Sequence, residues 1–463
     1  MPWQPLLDGA WNVSAWESVR AILADLESQG REPSGDPSLA GGTTGLAILQ
    51  GYLAQAGGGS ASVAVARRCL EYATASMAEQ PGTGSLYSGL TGVGWAVAHL
   101  QCRLRGVAGE DDLAEIDEAL LDHLEQSPWR GEYDLIEGLV GFGVYALEGL
   151  PRPAATDCLG RVVDRLAESA KSQGESTTWW TDPAWLPSET RAEFPGGYYN
   201  LGLAHGVPGV IGLLGQVCAA GVAHDKARPL LDGAVRWLLD QDGQDSFANW
   251  VVPGTTGNKA RLAWCYGDPG VAAALLGAAR CVEEPAWEAA ALAIARRAAQ
   301  RPSDQSGVRD AGLCHGSAGL AHLFNRMFQA TGEPWLAEAA RAWIERTLTM
   351  RRPGQGIGGY EAWKSDEAGG QSWSSDAGLL NGAAGIALAL LAATTSIEPR
   401  WDRMLLLSIP PRVPSEAIRR ASLQPRRGGG PSPGGESPWT QVILNPQAPE
   451  GAAGITDADQ SQR

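Results

Sequence analysis

The sequence predicts an all-α protein: an (α/α) toroid, a double-layered barrel with seven inner helices. Two observations carry this. A Gly-x-x-Gly followed by an apolar run occurs seven times, at Gly42/Gly45, Gly89/Gly92, Gly138/Gly141, Gly206/Gly209, Gly267/Gly270, Gly316/Gly319 and Gly382/Gly385. Two kinds of helical segment also alternate along the chain. Signals for β-strands are scarce, and fixed-period self-similarity of this kind marks a repeat architecture.

The inner helices are assigned to the segments that follow the glycine pairs. Val210-Ile211-Gly212-Leu213-Leu214, 271–276 and 386–391 carry almost no charge, as expected of helices buried on all sides. Segments 61–78, 111–126, 227–240 and 287–299 are Ala/Leu-rich, with apolar residues at helical spacing and charges between them. They are assigned to the half-exposed outer layer. Successive first glycines lie 47, 49, 68, 61, 49 and 66 residues apart, room for one helix pair per unit and for insertions in the longer gaps. Each inner helix is expected to start at its glycine pair, where glycine permits a tight turn and close backbone approach. The repeats span about residues 40 to 395, so residues 1–408 are assigned to one large domain. Within the longest gap, Trp179-Trp180-Thr181-Asp182-Pro183 and Phe194-Pro195-Gly196-Gly197-Tyr198-Tyr199 are expected to form an ordered loop, the lid or wall of a cleft. Residues 409–463, rich in Pro, Gly, Ser and Arg, are expected to be a disordered tail.

A net charge of −16 repels phosphate backbones and argues against a nucleic-acid partner. No apolar run approaches the roughly 18 residues of a membrane span, and the first residues lack the pattern of a secretory signal. A cytoplasmic protein is expected, with its seven cysteines reduced and available to bind metal or to catalyse.

Soft ligands fall at one phase of the repeat. Cys265 and Cys314 each stand two positions before the first glycine of their unit, and His315 and His205 stand one position before theirs. In a closed ring that phase becomes one place in space. Two thiolates and an imidazole suit Zn²⁺, and three protein ligands leave an open position, the pattern of a catalytic zinc. From phase alone His205 could be a fourth ligand, an acid/base or a structural histidine. Tyr266 shares its phase and could offer a phenol. Glu137, Ser88 and Asn381 share it too, but polar residues are common at helix starts. His99, His123, His224 and His322 are off this phase and are expected on helix faces without a role.

The strings GYYNLGLAHGVPGVIGLL, RLAWCYGDPGVAAALL and AGLCHGSAGLAHLFNRM closely resemble the lanthionine synthetase C-like family, zinc-dependent cyclases that form thioether rings in lantibiotics. SLYSGLTGVGWA, YDLIEGLVG, WWTDP and PRWDRMLLLS add to the likeness, which covers about residues 38 to 408. The resemblance implies Zn²⁺ held by Cys265, Cys314 and His315. It marks His205 and Asp134 as acid/base candidates and Arg261 and Tyr266 as further active-site residues. By themselves Asp134 and Arg261 look like ordinary surface charges. The implied reaction is Michael addition of a peptide Cys thiol to dehydroalanine or dehydrobutyrine in the same dehydrated precursor peptide. The likeness is to the stand-alone cyclase that works beside a separate dehydratase. Three alternatives stay open: addition of glutathione or another thiol to dehydroamino acids, a carbohydrate-active toroid, and a non-catalytic peptide-binding scaffold.

Overall fold

In a computed structural model the chain is described over residues 2–28, 35–79, 82–101, 111–243, 245–255, 257, 259–365 and 370–411. The inner layer consists of α2 (Thr43–Leu53), α4 (Leu90–Gln101), α6 (Leu139–Gly149), α9 (Val207–Ala220), α11 (Asp268–Val282), α13 (Ser317–Thr331) and α15 (Ala383–Thr394). Each packs on its two neighbours in that order, and α15 packs back on α2, which closes the ring. The outer layer is α1 (Gly9–Ser28), α3 (Gly59–Glu79), α5 (Asp111–Leu124), α7 (Pro153–Ser169), α10 (His224–Asp240), α12 (Pro285–Gln300) and α14 (Pro334–Thr349). A short α8 (Ser188–Glu193) lies in the long insertion.

Six outer helices follow their inner partner in the chain. The seventh, α1, precedes the first repeat and packs on the last inner helix, α15. Trp3 Nε1 donates to the Ala392 carbonyl (2.8 Å), and Leu6 N to that of Ala393 (2.8 Å), which ties the first residues to the last inner helix. The layers differ as the pattern predicted. All twelve residues of α15 are buried, whereas α12 buries only Ala291, Ile294, Ala295 and Ala298. Three antiparallel strand pairs decorate the ring: β1 (Lys171–Gln173) with β2 (Ser176–Thr178), β3 (Tyr199–Asn200) with β4 (Trp250–Val251), and β5 (Ala362–Ser365) with β6 (Gln371–Ser374).

The glycines act through close approach. A Cβ on Gly89 would stand 2.0 Å from the Thr83 carbonyl oxygen, and one on Gly92 1.9 Å from that of Leu86. The preceding turn therefore folds over the helix start, and its carbonyls satisfy backbone donors that a side chain would otherwise cap. Leu90 N donates to Thr83 O (2.9 Å), Thr43 N to Asp36 O (2.8 Å) and Ser317 N to Asp310 O (3.0 Å).

The ring is filled rather than open. A 3₁₀ turn at Arg400–Leu405, with the residues after it, buries Trp401, Met404, Leu405, Leu406 and Leu407. Tyr87 Oη donates to the Met404 carbonyl (2.8 Å) and Trp264 Nε1 to that of Leu405 (3.0 Å). Asp402 anchors this plug, accepting from Arg326 Nε (2.8 Å) and Nη2 (2.9 Å) and pairing with His322 Nε2 (2.8 Å). His322, expected to be idle, stacks on Trp401 with ring centroids 4.6 Å apart. His99 is likewise buried, between Tyr52 Oη (2.9 Å) and Glu148 Oε1 (2.8 Å). These histidines serve the core because inner helices have no solvent face on which to place them. Most of the tail expected at 409–463 lies outside the described residues, as does Cys102. Among the described residues no helix is long and apolar enough to cross a membrane.

Candidate metal centre and adjoining cleft

The turns before the inner helices are linked around one mouth of the ring. Ala204 N donates to Cys265 O (3.3 Å), Cys265 N to Cys314 O (3.3 Å), Cys314 N to Leu380 O (2.8 Å) and Leu380 N to Ala40 O (3.0 Å). All these residues stand two positions before a first glycine, so the backbone itself brings that phase together. The side chains of Cys265 and Cys314 consequently share one site with His315. Their sulfurs and a ring nitrogen all lie within 4.8 Å of one another.

Both cysteines are fully buried. The Cys314 thiol donates to Cys265 and holds it well below the usual thiol range against the effect of burial, with His315 and Arg261 adding to the pull. Cys314, as that donor and as a buried group, is pushed up. Burial works against a charge on His315, but Cys265 and the buried Asp310 outweigh it and raise the imidazole. His315 Nδ1 is buried with no hydrogen-bond partner among the described residues. Two soft sulfurs, an unsatisfied imidazole nitrogen and this compactness fit zinc, which takes sulfur at about 2.3 Å and nitrogen at about 2.0–2.1 Å. Asp310 supports the site: Oδ2 lies 3.7 Å from His315 Nε2 and accepts from Trp363 N (3.0 Å), while Oδ1 accepts from Gly312 N (3.1 Å).

Asp134 and His205 form a pair next to this cluster. His205 Nδ1 donates to Asp134 Oδ2 (2.7 Å), and Asp134 Oδ1 accepts from Glu137 N (2.8 Å). The two turns meet through Leu135 N and Ala204 O (3.1 Å). The carboxylate fixes the ring, so Nε2 points away from Asp134. His205 stacks on Tyr266, with centroids 6.1 Å apart at 24°. Tyr266 Oη accepts from Asn200 Nδ2 (3.0 Å). Asn200, buried on β3, was not singled out in the sequence; its place six residues before Gly206 is the signal that could have found it.

Arg261 is half-buried and acts electrostatically on Cys265, Cys314 and His315 alike. Its backbone is wedged under two left-handed glycines. A Cβ on Gly267 (φ +84°) would stand 2.2 Å from Arg261 O, and one on Gly307 (φ +75°) 2.7 Å from Arg261 Cβ. All seven residues singled out in the sequence thus lie around one mouth of the ring.

A cavity of about 160 Å³ adjoins the pair. Asp134, His205, Glu132 and Glu137 line it, and the long insertion contributes Trp185, Leu186 and Pro187. The insertion is therefore a wall, as one of its two expected roles had it. Trp179 roots it, fully buried and donating from Nε1 to Leu166 O (2.9 Å). Burial, Asp134 and Glu137 push Glu132 well up. Burial and Asp134 push Glu137 up to about 7, against Ser85, His205 and Ser88.

A closed α/α ring with a Cys-Cys-His cluster at its mouth defines a class, and comparison with known proteins agrees. Residues 33–406 match the family described as lanthionine synthetase C-like protein, and the chain belongs to that family. Among curated proteins it is similar to the nisin biosynthesis protein NisC of Lactococcus lactis subsp. lactis, 26% identical over 277 residues, which is 53% of this chain and 63% of that protein. The match thus spans under two thirds of that relative's length. Among solved structures it is similar to nisin cyclase, with a TM-score of 0.68 at 21% identity over 84% of this chain and 96% of that one. This likeness supports the toroid fold.

Proposed function

We propose that this protein is a zinc-dependent lanthipeptide cyclase. It closes (methyl)lanthionine rings by adding a peptide Cys thiol across dehydroalanine or dehydrobutyrine in the same dehydrated precursor peptide. The observation that carries this reading is the convergence of Cys265, Cys314 and His315 beside the Asp134–His205 pair. NisC, the similar curated protein, is named for nisin biosynthesis, and the nisin cyclase structure for a cyclase.

Cys265, Cys314 and His315 would hold the zinc, whose positive charge makes thiolate available near neutral pH, where a free thiol of pKa about 8.5 is mostly protonated. The remaining work falls to the chain. Addition of the thiolate sulfur to Cβ moves the alkene electron pair to Cα and the carbonyl oxygen. His205, held by Asp134, delivers a proton to Cα, and the proton shed by the thiol restores the pair. Arg261 and Tyr266 stabilise the enolate oxygen. A separate dehydratase supplies the alkene, and the reaction runs in the cytoplasm, where the cysteines stay reduced.

The test is cyclisation of a dehydrated, Cys-containing peptide by the zinc-loaded chain, followed by loss of free thiol and by mass-spectrometric fragmentation. His205→Asn with zinc retained is expected to lose about 10²–10⁴-fold in rate. An unchanged rate would remove His205 from the mechanism. Addition of glutathione in place of ring closure would move the assignment to intermolecular thiol addition.

A further inference from the structure

The cavity beside His205 is lined by two unlike sets of residues, and the proposed reaction explains only part of them. Glu132 stands six residues before Gly138, where Asp36, Thr83, Asn200, Asp310 and Asp376 each accept a hydrogen bond from a backbone N–H two residues on and so close their turn. Glu132 makes no such bond among the described residues. Its backbone keeps the architectural role, since Leu139 N donates to Glu132 O (3.3 Å), while its side chain lines the cavity. Glu137 lines it too, its side chain open to solvent on one side while its carboxyl is desolvated by the surrounding turns, and accepts from Ser88 Oγ at 3.4 Å. With Asp134 this makes three carboxylates facing one imidazole.

The long insertion adds Trp185, Leu186 and Pro187, with Thr181 and Thr190, to the same lining, and this segment is firmly held. Arg191 Nε donates to Pro183 O (2.9 Å) and Nη2 to Leu186 O (2.8 Å), which fixes the segment carrying Trp185, Leu186 and Pro187. A cavity lined by both apolar residues and carboxylates suits a side chain with an aliphatic stem and a cationic end. A carboxylate there would meet like charge.

We propose that Glu132, Glu137 and Trp185 are specificity-determining residues, selecting precursor peptides that carry a lysine or arginine next to the dehydrated residue. The inference rests on the proposed cyclase reading, because the acceptor end of the peptide must lie at His205. The stem packs on Trp185 and Leu186, and the ammonium or guanidinium sits between the two glutamates. Those glutamates are surrounded by Asp134 from their own turn, Ser85 and Ser88 from the turn before, and His205 from the turn after. A cation entering this group favours ionised carboxylates, so its binding releases protons near pH 6.5.

The experiment uses the full chain and unreactive peptides, with Ala in place of the dehydro residue and Ser in place of Cys. Either Lys, norleucine or Glu flanks the Ala on both sides. The Lys peptide is expected to bind about tenfold or more tighter than the Glu peptide, a difference of about 1.4 kcal/mol. That ratio should fall below about threefold in Glu132→Gln/Glu137→Gln and persist in Asp225→Asn, a charge change on the outer layer. Calorimetry in two buffers of different ionisation heat should show proton release for the Lys peptide and none for norleucine. Trp185→Ala should weaken the Lys and norleucine peptides together. Equal binding of the Lys and Glu peptides, or a ratio unchanged in the double variant, would overturn the proposal. Discrimination that persists in a protein unable to cyclise any peptide would remove the activity and leave the selectivity standing.

Discussion

The turns at 36–42 and 376–382 and those at 132–138 and 261–267 are cut from one template and used differently. In the first pair an Asp six residues before the glycine closes the turn: Asp36 Oδ1 accepts from Ser38 N (2.8 Å) and Asp376 Oδ1 from Gly378 N (2.7 Å). The same positions in the second pair hold Glu132 and Arg261. Arginine has no acceptor to close such a turn. Four residues before the glycine, Ser38, Ser85, Gly202, Ala263, Gly312 and Gly378 are all small, and Asp134 is the exception. Asp134 and Arg261 thus sit where a turn departs from its own template, whereas His205, Cys314 and His315 sit in turns that keep it, closed by Asn200 and Asp310. Around the ring the backbone bonds supply position, and the departures add charged side chains beside the cluster.

This contrast can be broken from either side. The largest expected effect comes at the Asp134–His205 pair, where a departing turn meets one that keeps the template: His205→Asn should slow cyclisation by about 10²–10⁴-fold without moving the melting temperature by more than a few degrees. A slower but similarly large loss in an architectural variant would erase the distinction. Next comes the plug. Asp402→Ala takes from the buried Arg326 its two-pronged carboxylate, leaving only Glu398 at 3.6 Å and the Pro399 carbonyl, and should destabilise the fold by about 3 kcal/mol, read from denaturant unfolding. Asp36→Ala removes only a turn-closing acceptor. It should cost about 1 kcal/mol, as loss of a helix cap does, and leave the cyclisation rate per folded molecule unchanged.

The smallest effect is a pH slope. Glu137 is held up to about 7 in the folded chain, against an ordinary 4.5. The folded state therefore binds the proton more tightly than the unfolded state. Its contribution to stability is present in full below pH 4.5 and is lost as pH rises to about 7. Glu137→Gln should raise the melting temperature at pH 8 relative to pH 5, when each is compared with the parent chain. An equal change at both pH values would show that Glu137 does not titrate in this window.

Much of this was legible in the sequence, for physical reasons. Glycines mark the inner-helix starts because the turn carbonyls leave no room for a Cβ, so the repeat count and the fold followed directly. Cys265, Cys314 and His315 share a phase, and a ring converts phase into proximity. Asp134 and Arg261 looked like surface charges until the family resemblance marked them, because their meaning lies in columns further back from the glycine. The source of the seventh outer helix was hidden for another reason. A linear reading starts at the first repeat, whereas the seventh outer helix is α1, from before it. Nor could periodicity reveal that PRWDRMLLLS plugs the ring, since the plug has no repeat of its own and is held by Asp402, Arg326 and His322, which lie far apart in sequence or off the repeat phase.

The cyclase reading stands on three residues from two adjacent turns holding one zinc. The most direct measurement is zinc content of the freshly purified, reduced full chain beside Cys265→Ala and Cys314→Ala. About one zinc per chain in the parent and none in either variant is the result expected of a three-ligand site. No zinc in the parent, before or after reconstitution, would contradict the account and leave the ring a peptide-binding scaffold.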